Sequence, residues 1–239
     1  MTKNATLWIV PLALLLGACA HKSLNPEALG TIERPAIVMR AESEPILSFE
    51  EKDAAHEKRL RGRLTAFQMN ERLRSSIIAH LPNVEPWTSI MPSVEVSTVL
   101  DLLLVQDRAE SPRYELLKEK GANTVLEVVV ERSGLRFNPE TGKTGFFLEG
   151  RARLFHIGGD TLWKSPLELD STEIPDFPGL VPAELSHDGY FDAFNDFLFR
   201  LTEPMGAELS AGIPIEPPQV ASEPPPKGNA EGLSEVIDE

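Results

Sequence analysis

The side chains best suited to proton transfer or metal binding near neutral pH are the five histidines, at 21, 56, 80, 156 and 187. No two stand four residues apart, so no helix turn carries a His-x-x-x-His pair, and a metal site would have to be gathered from distant segments. Cys19 is the one cysteine, which excludes an internal disulfide and any zinc site built on two thiolates. Ser186-His187-Asp188 holds the three residue types of a hydrolase triad, yet adjacent residues cannot face one another. No Gly-x-Ser-x-Gly elbow offers another nucleophile, and Ser186 or Asp188 better suits a helix N-cap. Gly142-Lys143-Thr144 ends like a phosphate-binding loop, but Phe137 stands where the first glycine belongs and a strand follows. A hairpin turn is the expectation there. The catalytic trio with most to recommend it is Glu149, His156 and Asp160, which would have to converge in three dimensions. Lys58, Arg59, Arg61 and Arg63 form the densest basic cluster; they read as a solvated helix face or as a dock for an acidic partner or phosphate headgroups. None of these groups implies a cofactor, and a non-enzymatic role is expected.

The elements that would position these residues follow from hydrophobic period and punctuation. The 239 residues carry a formal net charge of −14, which repels nucleic acid, and no basic arm compensates. Residues 36–39 read as a short first strand, and 41–53 form an acidic stretch broken at Pro45. A helix is expected from 58 to about 80, with Leu60, Leu64, Phe67, Ile78 and Leu81 on its apolar side, Met69 and Leu73 turned elsewhere, and Pro82 as its stop. Residues 83–92 read as an irregular or strand-like link, and the apolar run 94–105 suits either a buried strand or a helix. Ser111-Pro112 opens a helix that Gly121 ends. The β-branched run 123–132, the alternating run 146–156 and the run 161–169 predict an antiparallel meander, with turns over 137–145 and at Gly158-Gly159-Asp160. Tyr190, Phe194, Phe197 and Leu201 recur at helical spacing over 188–202, with Phe199 off the stripe and Pro204 expected to end or kink the helix. The fold class is therefore α+β: a three-stranded meander plus one or two further strands, packed by helices.

The two ends have a different character. Lys3 precedes an apolar run over residues 5–18, whose 14 residues are too few for a spanning helix of about 20. Leu16-Gly17-Ala18-Cys19 closes the run and resembles the lipobox of bacterial lipoproteins. That resemblance implies a cleaved signal peptide over 1–18 and up to three acyl chains on Cys19, the membrane being the partner. In Gram-negative lipoproteins an Asp after the cysteine favours inner-membrane retention; Ala20 here implies the outer membrane, facing the periplasm. Residues 19–35 read as a lipidated tether, 36–211 as one periplasmic domain, and 212–239, rich in proline and acidic residues, as a disordered tail. Gly121-Ala-Asn-Thr-Val-Leu-Glu-Val128, with the meander after it, is similar to TolB N-terminal or curli-secretion-type lipoproteins, which implies a fold and no activity. The expected function is that of a membrane-anchored accessory or scaffold subunit of an envelope complex with a protein partner. An envelope enzyme, or a binder of lipid or a small apolar ligand between meander and helices, is the alternative.

Overall fold

The computed structural model describes residues 23–47, 66–100, 113–180, 187–211 and 213. Their element order is α1 (Pro26–Leu29), β1 (Pro35–Ala41), β2 (Ile46–Leu47), α2 (Ala66–His80), a 3-10 turn (Trp87–Ser89), α3 (Ser93–Val99), α4 (Glu115–Lys118), β3 (Thr124–Asn138), β4 (Lys143–His156), β5 (Thr161–Asp170) and α5 (His187–Ser210). The meander forms as the alternating pattern requires, and its sheet runs β1-β3-β4-β5, with β2 also beside β3. The sheet is mixed. β1 pairs parallel to β3 from Pro35↔Thr124 to Ala41↔Val130, and a bulge at Val130/Arg132 interrupts the antiparallel β3–β4 ladder. The strands extend further into the 137–145 segment than its turn residues suggest, leaving residues 139–142 as the hairpin turn.

Helices cover both faces of this sheet. On one face, Leu126, Val128, Leu148, Leu154 and Trp163 pack with residues of α2 and α5; on the other, Ala36, Val38 and Val125 pack with Val96 of α3 and Leu117 of α4. Cover on two sides explains why the first seven residues of β3 are all buried and why its sequence is an apolar run rather than an alternation. Helix α5 presents the expected stripe, and Phe146 of β4 sits 5.4, 5.1 and 5.6 Å, ring to ring, from Tyr190, Phe194 and Phe197. Each such ring contributes roughly 1.5–3 kcal/mol by leaving water.

Three expectations need correction. Pro204 does not end α5; Met205 and Leu209 are buried beyond it, and Trp163 Nε1 donates to Glu208 Oε2 at 2.7 Å, so tertiary burial carries the helix through the missing hydrogen bond. The buried face of α2 is Met69, Leu73 and Ile77, while Ile78 is 43% exposed, because the face that meets α5 decides burial. The part of the 19–35 tether that is described is not extended. Asn25 caps α1, its Oδ1 accepting from the Ala28 N–H at 2.6 Å, and Leu24, Leu29 and Ile32 are buried in the main core. Three apolar side chains in one short stretch outweigh its lack of period. The 83–92 link takes the irregular of its two readings and holds the 3-10 turn, and the first part of the 94–105 run takes the helical one. Gly121, at φ +88°, closes α4 in the left-handed conformation that favours glycine, its N–H donating to Lys118 O at 3.0 Å. No described helix is long and apolar enough to cross a membrane.

Candidate functional site

Cys19, the basic cluster Lys58, Arg59, Arg61 and Arg63, and Ser186 lie outside the described residues. The trio Glu149, His156 and Asp160 does not assemble. Glu149 and His156 are seven residues apart on β4, about 23 Å at the rise of a strand. Glu149 is held by Arg132 at 2.9 Å and Arg136 at 3.8 Å. His156 instead shares its ring nitrogens with Thr31 Oγ1 (2.8 Å) and Thr124 Oγ1 (3.3 Å) at the other end of the strand. Gly142-Lys143-Thr144 forms the end of the β3–β4 turn and the start of β4, as a hairpin requires. Among the described residues no group of three or more His, Cys, Asp or Glu is arranged to hold a metal ion.

What the fold does bring together is a buried charge centre on the α3/α4 side of the sheet. Glu127, in the middle of the apolar run of β3, is 2% exposed. Parallel pairing sets Val38 beside it and antiparallel pairing sets Arg153 opposite. Its Oε1 accepts from the Tyr114 hydroxyl and from Arg40 Nη1 at 3.2 Å, and its Oε2 accepts from Arg153 Nε at 2.6 Å. Burial alone would raise the Glu127 carboxyl, yet the Tyr114 and Arg153 donors, with Arg40, reverse this and hold it below the usual carboxylate range. The same burial, together with the carboxylate it donates to, pushes the Tyr114 phenol well above its ordinary value. Phe155 packs edge-on against Tyr114 at 5.3 Å and lies under Arg153 at 4.7 Å. A carboxylate with its lone pairs occupied and no access to water is a poor general base. The arrangement is suited to fastening the segment that leads into α4 onto the sheet.

The second feature flanks α2. A groove of about 550 Å³ runs between α2 and α5, bordered by Glu71, Ser75, Asn195 and the half-exposed Phe199, and crossed by Arg72, whose Nη1 donates to Asn195 Oδ1 at 2.8 Å. On the other side of the same ridge, a pocket of about 280 Å³ lies between α2, the 86–93 connection and β1. Its described walls include Ile37, Ile78, Trp87, Ile90 and Met91, with Arg74 among them. Arg74 is 5% exposed and, among the described residues, its one acidic contact is Glu71, 2.9 Å from Nη1; burial lowers its pKa, which the Glu71 charge partly offsets.

No protein-family model matches the chain, and no curated protein matches its sequence. Solved structures are similar at low level. The lipoprotein GNA1162 from Neisseria meningitidis is 16% identical over 60% of this chain and 88% of its own, with a TM-score of 0.37. The PelC dodecamer from Paraburkholderia phytofirmans is 10% identical over 80% of this chain and 94% of its own, at 0.37, and the hypothetical protein CT253 from Chlamydia trachomatis is 10% identical over 75% and 99%, at 0.41. Likeness at these scores carries no inference about activity.

Two groups that matter structurally are inconspicuous in the sequence. Glu127 did leave a signal: it is a single charge within seven otherwise apolar or small residues, which in a doubly covered strand demands partners. Arg74 left none, because a charge within α2 reads as solvent-facing until a neighbour covers it.

Proposed function

We propose that the chain is an acylated, membrane-anchored lipoprotein whose α+β domain acts as a non-enzymatic accessory or scaffold subunit of a cell-envelope complex, on the periplasmic side of an outer membrane. The observation that carries this reading is Leu16-Gly17-Ala18-Cys19 placed directly after a short apolar run. Two or more acyl chains on one cysteine give durable membrane residence, which the chain's strong negative charge would otherwise oppose at an anionic lipid surface. The domain chemistry is compatible. Its buried carboxylate is committed to Tyr114, Arg40 and Arg153, and charged side chains on the sheet are committed to ion pairs such as Arg132–Glu149 (2.9 Å) and Arg151–Glu42 (3.1 Å). Such a surface recognises by shape and charge pattern rather than by reacting.

The test is metabolic labelling of cells with a radioactive fatty acid, comparing wild type with Cys19→Ala. Label on the wild type, together with loss of both label and membrane sedimentation in the variant, is expected. An unlabelled wild type, or a variant that sediments equally, removes the anchor. The scaffold part is tested by crosslinking in native membranes and identifying the captured chains. Reversing charge at Arg59 and Arg61 is expected to weaken capture if the basic cluster is the contact.

A further inference from the structure

The pocket beside α2 has a chemical peculiarity that packing does not account for. A guanidinium carries five N–H donors. Arg74 is almost fully buried, and among the described residues its one ion-pair partner is Glu71, held through Nη1 and itself 40% exposed at the side chain. Among the described residues Arg74 Nε is buried with no acceptor, and so is the indole Nε1 of Trp87, which borders the same pocket. Two donors left without acceptors in one place cost free energy that an apolar pair of residues would have avoided. The rest of the wall is Ile37, Ile78, Ile90, Met91 and Pro92, with Glu71, Ser75 and Ser93 as its other polar residues. A wall with two unsatisfied donors, apolar neighbours and a volume of about 280 Å³, just under the roughly 300–1,000 Å³ of small-molecule pockets, define a complementary guest.

We infer that this pocket binds a small apolar carboxylic acid, its carboxylate on Arg74 and Trp87 and its hydrocarbon body against the isoleucines and Met91. The carboxylate supplies acceptors in the planar arrangement that a guanidinium fork favours. Glu71 also borders the pocket, its carboxylate 2.9 Å from Arg74 Nη1, so the guest carboxylate takes the Nε side of the guanidinium. This inference goes beyond the scaffold reading and does not depend on the anchor, since every group it uses belongs to the folded domain.

The experiment uses the full chain in detergent, 15N-labelled, and follows the indole N–H resonances during titration with 4-phenylbutyrate and, separately, with its neutral isostere 4-phenylbutyramide. The Trp87 resonance, assigned with Trp87→Phe, is expected to move saturably with the acid. Trp163, whose indole N–H is already bonded to Glu208, is expected to stay still. The amide is expected to bind at least about tenfold more weakly, and Arg74→Met to weaken the acid by at least as much. Arg74→Met keeps the site filled by an apolar chain and is expected to fold; an unmoved Trp163 resonance checks this, and Arg74→Gln serves as the second variant. An unmoved Trp87 resonance overturns the proposal, as would follow if Asn70 Oδ1, a buried acceptor without a donor one turn earlier on α2, closes on the guanidinium instead. Equal responses to acid and amide, or undiminished binding by both variants, overturn it as well.

Discussion

At the scale of single residues, Glu127 is where the chain concentrates electrostatic free energy. Its partners differ in what they would suffer without it. Arg40 is 16% exposed at its side chain and has little access to water, whereas Arg153, at 44%, can turn to solvent. Breaking a buried pair typically costs about 3–5 kcal/mol, and the solvent-screened Arg153 pair places Glu127→Gln near the lower end. Urea denaturation at neutral pH, read as a fall in midpoint at unchanged slope, measures this. The pH dependence has a definite sign. The folded-state pKa of Glu127 is depressed by its donors, so its contribution is fully present above the unfolded carboxylate value of about 4.3 and is lost as pH falls through the lower folded value. The difference in stability between wild type and Glu127→Gln is therefore expected to be constant at higher pH and to narrow in acid. A difference that persists unchanged at the lowest pH would mean the carboxylate is not the source. Tyr114→Phe, which removes one donor to the same carboxylate, is expected to cost about 1.5–3 kcal/mol and to flatten the same acid limb.

At the scale of elements, α5 shows burial overruling local preference. Pro204 is exposed inside the helix, deprives it of one N–H and crowds the carbonyl four residues back. Pro204→Ala should raise stability by up to about 3 kcal/mol, visible as a higher Tm by calorimetry, because the helix on both sides is already fixed by Leu201, Met205 and Leu209. Two residues later the preference runs the other way. A Cβ on Gly206 would lie 2.4 Å from His80 Cβ and 2.9 Å from His80 O, so Gly206→Ala should destabilise the α2–α5 contact, overpacking of about 1–3 kcal/mol exceeding the helix-propensity gain of about 1. These cases also mark what the sequence makes legible. The meander and the aromatic stripe of α5 were readable because their periods of 2 and 3.6 are local properties of Leu148–Leu154 and of Tyr190, Phe194 and Phe197. The buried side of α2 was not, since Met69, Leu73 and Ile77 compete with a second apolar set and only contact with α5 decides between them. The parallel partnership of β1 with β3 joins residues about 90 positions apart and leaves no local trace. The pocket at Arg74 was illegible for the same reason: its walls come from three separate elements, and its unpaired donors are a property of their packing.

At the scale of the whole molecule, the docked N-terminal segment changes how the domain would sit on a membrane. Leu24 is already in the core, so at most five residue steps separate it from Cys19, a reach of about 18 Å even when fully extended. Acylation at Cys19 would therefore hold the α1 end against the lipid headgroups rather than suspend the domain on a long leash. The β4–β5 turn belongs to that end, since Thr31, just after α1, shares a hydrogen bond with His156 Nε2 at 2.8 Å. The β3–β4 turn lies at the opposite end of β4, whose 14 residues span about 46 Å. Fluorophores on Asp160→Cys and Thr141→Cys, both at exposed positions, are expected to respond very differently to a spin label on the lipid headgroup of reconstituted vesicles. Quenching should be strong at 160 and absent at 141, the acylated Cys19 taking no dye. Equal quenching at the two sites would mean that the domain tumbles freely about its anchor, and that the packing of Leu24, Leu29 and Ile32 is released on the membrane. Loss of the contrast in Cys19→Ala, with both sites unquenched, would show instead that the orientation is imposed by the acyl chains and not by any affinity of this acidic surface for lipid.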